Sequence, residues 1–230
     1  MKFLFFQHTA TEPLGYLEEA IKKHGIQIEP IRLFEGAKVP SLKDFDALIV
    51  MGGPFHVDEE EKFPFLVEEK ESIRAAVANE MPYLGICLGG QLLASCLGAK
   101  VPKNPGPEIG YYDVTLTEEG RQDPLFKGLP KTLRMMQWHF DTFDQPVGTH
   151  LLATTPTCKN QAIRHGRNAY GIQFHFEVEE KLATRWVTNS PDELAAHGFD
   201  GAAIIAEARQ RQGELKKITH TIFNNFLGLF

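Results

Sequence analysis

"PYLGICLGGQLLA", residues 82–94, decides how this chain is read. The apolar run 82–87 reads as a buried strand and "LGGQLLASCLG" (88–98) as a helix, with Cys87 at the junction and glycines at 85, 89 and 90. Upstream, "KFLFFQ" (2–7) reads as another buried strand. A helix over 12–25 follows it, with Leu14, Leu17 and Ile21 on one face and Gly25 suited to its C-terminal cap. "QIEPIRLF" (27–34) is a second strand that Pro30 breaks or confines to an edge. "FDALIVMGG" (45–53) has the near-continuous apolar character of a central parallel strand, and residues 60–79 read as a helix with Leu66, Ile73 and Val77 inward. This alternation predicts a doubly wound, mostly parallel α/β sheet with helices on both faces. Ligands of such sheets bind beyond the carboxyl ends of the strands, which places "MGGP" (51–54) and "GICLGG" (85–90) on the active rim.

Past residue 100 the pattern changes. "GYYDVTLT" and the segment 150–175 read as several strands, partly antiparallel. The tail from Asp200 reads as a long helix with Leu215, Ile218, Ile222 and Phe226 on one stripe. No repeat, low-complexity tract or linker divides the chain, so one domain over 1–230 is expected, with 181–230 as a helical C-terminal extension.

Bulk composition removes several function classes. With 230 residues and 43% hydrophobic content the chain can bury a core without disulfides or a structural metal. A formal net charge of -6 with no basic cluster leaves no electrostatic footprint for nucleic acid or anionic lipid. The three cysteines Cys87, Cys96 and Cys158 are odd in number and lack C-x-x-C spacing, which argues against a disulfide framework or zinc site. "MKFLFF" is too short for a signal-peptide core, and no apolar run approaches the ~18 residues of a membrane span. The expectation is a soluble protein in the reducing cytoplasm. His56, His139 and His165 are not at ligand spacing and read as rim or surface residues, so no metal or organic cofactor is implied.

Gly85-Ile86-Cys87-Leu88-Gly89 has the pattern of a nucleophile elbow with cysteine as nucleophile. A sharp strand-to-helix turn strains the central residue and requires small neighbours two positions away on either side. The helix N-terminus adds a positive partial charge that favours the reactive thiolate. The alternative is a small hydrophobe buried in a glycine-rich turn, the ordinary fate of free cysteine and the reading kept for Cys96 and Cys158. A thiolate also needs a base and an orienting partner. In "YGIQFHFE" (170–177), read as a strand, His175 and Glu177 share a face, so the carboxylate can hold the imidazole. A tetrahedral intermediate needs oxyanion donors, which the backbone N–H groups of "MGGP" and of Leu88 can supply.

Together "GICLGGQLLA", "MGGP" and "YGIQFHFE" resemble the class I, or triad, glutamine amidotransferases. "EIGYYDVTLTEEG" (108–120), "DPLFKGLP" (123–130), "QWHFDTF" (137–143) and "NQAIRHG" (160–166) resemble the stand-alone branch related to the amidotransferase domain of GMP synthetase. The resemblance covers about residues 1–180 and implies a flavodoxin-like fold. It also implies that Cys87 attacks the side-chain amide of glutamine, His175 serves as base then acid, and Glu177 orients His175. Gly53 and Leu88 would supply the oxyanion hole through their N–H groups. Gly52, Gln91, Gln137, Trp138 and His139 would contact substrate. A γ-glutamyl thioester would form and be hydrolysed to glutamate, with ammonia released.

Two departures bear on the pocket: Gly90 stands where many relatives carry His or Met, and Phe176 where proline is common between the triad His and Glu. About fifty residues follow the His-x-Glu segment, and they carry no P-loop. A complete synthetase is therefore not expected, and any ammonia acceptor would be a separate partner. Two other functions stay open: a hydrolase of γ-glutamyl peptides, which the same thioester chemistry serves, and a non-catalytic regulatory module. The sequence does not fix the oligomeric state.

Overall fold

The computed structural model describes all 230 residues. Five parallel strands form one half of a nine-stranded sheet: β1 (Lys2–Gln7), β2 (Gln27–Arg32), β3 (Ala47–Val50), β4 (Tyr83–Ile86) and β9 (Ala169–Ile172). The other half is antiparallel: β5 (Lys103–Leu116), β6 (Thr132–Asp141), β7 (Thr149–Thr154) and β8 (Ala162–His165). The spatial order is β2-β1-β3-β4-β9-β8-β7-β5-β6. Pro30 lies in β2, which is an edge strand, so the missing donor faces no neighbour.

Alternation along the strands sorts the core into two layers. Phe3, Phe5, Ile49 and Leu84 face α1 (Tyr16–Lys23), α5 (Glu180–Asn189), α6 (Pro191–His197) and α7 (Gly201–Leu227). Leu4, Phe6, Leu48 and Tyr83 face α2 (Phe65–Ala78) and α3 (Leu88–Cys96). Helices thus cover both faces of the parallel half, as the sequence pattern predicts. The remaining short helix, α4 (Glu118–Gln122), packs beside β7. No helix is long and apolar enough to cross a membrane.

Helix α7 carries the expected stripe, with Leu215, Ile218, Ile222 and Phe226 all buried. Its start is capped by Asp200, whose carboxylate accepts from Ala202 and Ala203 N–H at 2.9 and 3.1 Å.

One local expectation is corrected. The strand read over 170–177 ends at Ile172, and beyond it only an isolated bridge joins His175 to Met136. Residues 173–178 are a loop held from outside. His175 N–H donates to the Met136 carbonyl at 2.8 Å, and Tyr16 N–H donates to the Glu177 carbonyl at 2.8 Å. The Thr219 hydroxyl of α7 donates to the Phe176 carbonyl. Phe176 is fully buried, so the residue that departs from the common proline forms part of the core.

Candidate active site

Cys87 sits between β4 and α3 with φ 52° and ψ −108°, a backbone conformation that L-residues rarely adopt. Its glycine neighbours are forced by backbone contacts. A Cβ on Gly85 would lie 2.4 Å from the Gly89 carbonyl oxygen, and one on Gly89 would lie 2.1 Å from that of Val50. One on Gly90 would lie 2.9 Å from the Ile172 backbone, so Gly90 seats α3 against β9. The turn exists because three constraints exclude side chains.

Cys87 is nearly buried, and it opens with His175 onto a cleft of about 480 Å³. Gly53, Gln91, Trp138 and His139 also line this cleft. Gln137 does not. Its side chain is fully buried and its amide donates to Gln161 at 2.8 Å. The side chain of Leu88 is packed in the core under α3. The backbone N–H groups of Gly53 and Leu88 have no hydrogen-bond partner within the protein.

His175 Nδ1 and Glu177 Oε1 are 2.7 Å apart, and both side chains are almost wholly buried. Burial opposes charge on the imidazole. The Glu177 carboxylate and the neighbouring Cys87 sulfur outweigh it, so His175 protonates well above the usual histidine range. The ring also meets the edge of Trp186 at 4.8 Å between centroids. A second chain of contacts leads to the sulfur. Gln91 donates to the Asp141 carbonyl at 3.2 Å and to Gln173 Oε1 at 3.1 Å, and the Gln173 amide lies 3.7 Å from Cys87 Sγ.

Three buried groups near the site carry no sequence signal. Glu12 lines the cleft, and its buried Oε2 has no partner. Burial pushes this carboxyl up against the pull of His175 and His8. A Cβ on Gly52 would come within 2.0 Å of Glu12 Oε2 and 3.4 Å of His175 Cε1, so a side chain there would displace the Glu12 carboxylate. His8 and Glu69 form a pair behind the loop that follows β3, with Nε2 and Oε1 2.8 Å apart. His8 follows a strand and Glu69 lies in a charged stretch of α2, so their meeting depends wholly on the tertiary fold.

His139, expected at the rim, turns inward and is buried. Its Nε2 is 2.8 Å from Glu108 Oε2 and its Nδ1 2.9 Å from the Asp141 carbonyl. Glu108, His139 and Cys158 could together present metal ligands within 4.8 Å of one another. The carboxylate is already occupied, however, because Thr155, Thr157 and Gln161 also donate to it. Burial works against ionisation of Glu108, yet His139, Thr155 and Thr157 hold its carboxyl below the usual range. The cluster reads as a satisfied hydrogen-bond network.

The family model described as glutamine amidotransferase class-I matches residues 15–190. A glutamine amidotransferase-like protein of Salmonella typhimurium, YfeJ, is 33% identical over 214 residues, covering 91% of this chain and 90% of that one. A subunit of the glutamine-hydrolysing GMP synthase from Sulfolobus acidocaldarius is 34% identical, covering 76% of this chain and 85% of that protein. The solved structure of a glutamine amidotransferase from Thermotoga maritima superposes with a TM-score of 0.91 at 32% identity, covering 98% of this chain and 97% of that one.

Proposed function

The chain belongs to the class I glutamine amidotransferase family, and from that premise we propose that it cleaves the side-chain amide of glutamine through Cys87. One observation carries the reading: a strained cysteine at a strand-to-helix turn opens onto the same cleft as a buried His–Glu pair. The Cys87 thiolate attacks the amide carbon. The tetrahedral oxyanion is received by the free N–H groups of Gly53 and Leu88. Protonated His175 gives its proton to the amide nitrogen, which leaves as ammonia, and a γ-glutamyl thioester remains. His175 then takes a proton from water as the water attacks the thioester, and glutamate and the Cys87 thiolate are released. Trp138 and the carbonyl oxygen of Gln91 would contact the substrate's α-groups. Gly52 shapes the wall without lining it, Gln137 supports that wall from within, and His139 forms part of its surface. On this reading residues 1–230 act as one amidotransferase domain.

The test is glutamate release from L-glutamine by the purified chain. Release establishes the activity, and its absence across neutral pH would refute the reading. Glu177 holds His175 and does not itself react. Glu177→Gln is therefore expected to lower kcat on the order of 10²–10⁴-fold with KM little changed. A loss under about threefold would remove the orienting role.

A relative named as a synthase subunit supports a separate synthetase partner that would take the ammonia, docked over the cleft rim. A second reading, hydrolysis of γ-glutamyl peptides, is favoured by the cleft itself. It runs past Cys87 to Trp186 and Asn189 of α5, Ser190 between the helices and Glu193 of α6, and its volume suits a ligand larger than one glutamine. Turnover of a γ-glutamyl dipeptide faster than glutamine would decide for it.

A further inference from the structure

The Gly52–Gly53 peptide is gripped from behind. His8 Nδ1 lies 2.9 Å from the Gly52 carbonyl oxygen, and His8 Nε2 lies 2.8 Å from Glu69 Oε1. A peptide carbonyl and an ionised carboxylate are both acceptors, so against that pair both ring nitrogens donate and the ring is an imidazolium. His8 and Glu69 side chains are fully enclosed. Burial opposes the ring's charge, but Glu69, the Gly52 carbonyl and the nearby Glu12 outweigh it, and His8 protonates above the usual histidine range. Phe55 and Phe65 pack on the ring, at 5.5 and 6.3 Å between centroids. The other Glu69 oxygen has no partner, so the ion pair depends on His8 alone.

The Gly52 carbonyl and the Gly53 N–H belong to one planar trans peptide, so they point in opposite directions. A donor fixed on the carbonyl fixes the direction of the N–H. A positive charge on that carbonyl also polarises the unit and strengthens the N–H as a donor. We propose that His8, held by Glu69, is a positioning residue that orients and polarises the Gly52–Gly53 peptide so that the Gly53 N–H meets the oxyanion. This rests on the reading that Gly53 supplies an oxyanion donor.

Two near-isosteric variants separate this role from simple support of the fold. His8→Asn keeps a donor at the Nδ1 position and loses the charge. Glu69→Gln keeps the partner's shape and removes the counter-charge. Both are expected to lower kcat for glutamine roughly ten- to a hundredfold, with KM within about twofold of wild type. Alkylation of Cys87 by iodoacetamide forms no oxyanion, so its rate should stay within about twofold. Turnover and alkylation falling together, or unchanged kcat in both variants, would overturn the proposal. Nitrogen-15 NMR reads the grip without substrate. Both His8 ring nitrogens should be protonated at neutral pH, and the Gly53 amide resonance should move in His8→Asn. An unprotonated ring nitrogen or an unmoved Gly53 amide overturns the inference even if glutamine is hydrolysed. A protein that shows both signals yet releases no glutamate refutes the functional reading alone.

Discussion

Cys87→Ala is expected to abolish glutamate release and leave the fold in place. The sulfur is the only nucleophile at the elbow, and alanine keeps the Cβ that already fits the turn. Residual turnover above a tenth of wild type would rule Cys87 out. Cys87→Gly makes the prediction sharper. At φ 52° and ψ −108° a side-chain-bearing residue stores about 1–3 kcal/mol of strain, which glycine releases. Glycine forfeits about 0.5–1 kcal/mol in unfolded-state entropy. The balance predicts an inactive protein more stable than Cys87→Ala by roughly 1 kcal/mol, read from urea midpoints at constant m. A Cys87→Gly protein less stable than Cys87→Ala by about 0.5–1 kcal/mol would mean that the elbow is not strained.

Gly89→Ala is expected to cause a large loss of stability for a single methyl group. The new Cβ would lie 2.1 Å from the Val50 carbonyl oxygen and 2.8 Å from the Val50 carbonyl carbon. Those atoms belong to the backbone of β3, a central strand that cannot yield as a side-chain tip can. A destabilisation of about 3 kcal/mol or more is expected, at the top of the range for overpacking. Activity should fall with it, because α3 must move away from β3 and carry the elbow along. Gly213→Ala is the control: that glycine is exposed within α7 and nothing lies near its Cβ position. There alanine should stabilise by about 0.4–1 kcal/mol. A Gly89→Ala protein as stable as wild type would show that α3 can slide on the sheet.

The elbow is legible in the sequence because it is local. Three glycines around one cysteine encode a strand-to-helix turn within six residues, and Gly53 and Cys87 do open onto one cleft. The parallel half of the sheet is legible for the same reason, since its strands are short apolar runs between amphipathic helices. His175 and Glu177 do pair, but not for the reason their spacing suggests. They meet through a loop pinned to β6, α1 and α7, and a period of two does not describe it. His8, Glu69 and Glu12 are illegible because the buried residues near each are mostly apolar, and nothing local signals that a charged side chain joins them. His8 and Glu69 are 61 positions apart and become a pair only when α2 packs under the rim. Gln137 misleads in the opposite sense, since its neighbours Trp138 and His139 reach the cleft and its own side chain points into the sheet core.

The hydroxyl of Thr219 has a bearing on how the protein is made. It reaches the Phe176 carbonyl from 43 residues further along the chain and lies buried in the middle of α7. Synthesis runs from the N-terminus, so the cysteine turn leaves the ribosome long before this brace does. A nascent chain therefore exposes its thiol while the loop with His175 and Glu177 still lacks its outer support. Of the contacts from β6, α1 and α7 that hold the His175–Glu177 loop, the one from α7 is therefore the last to form.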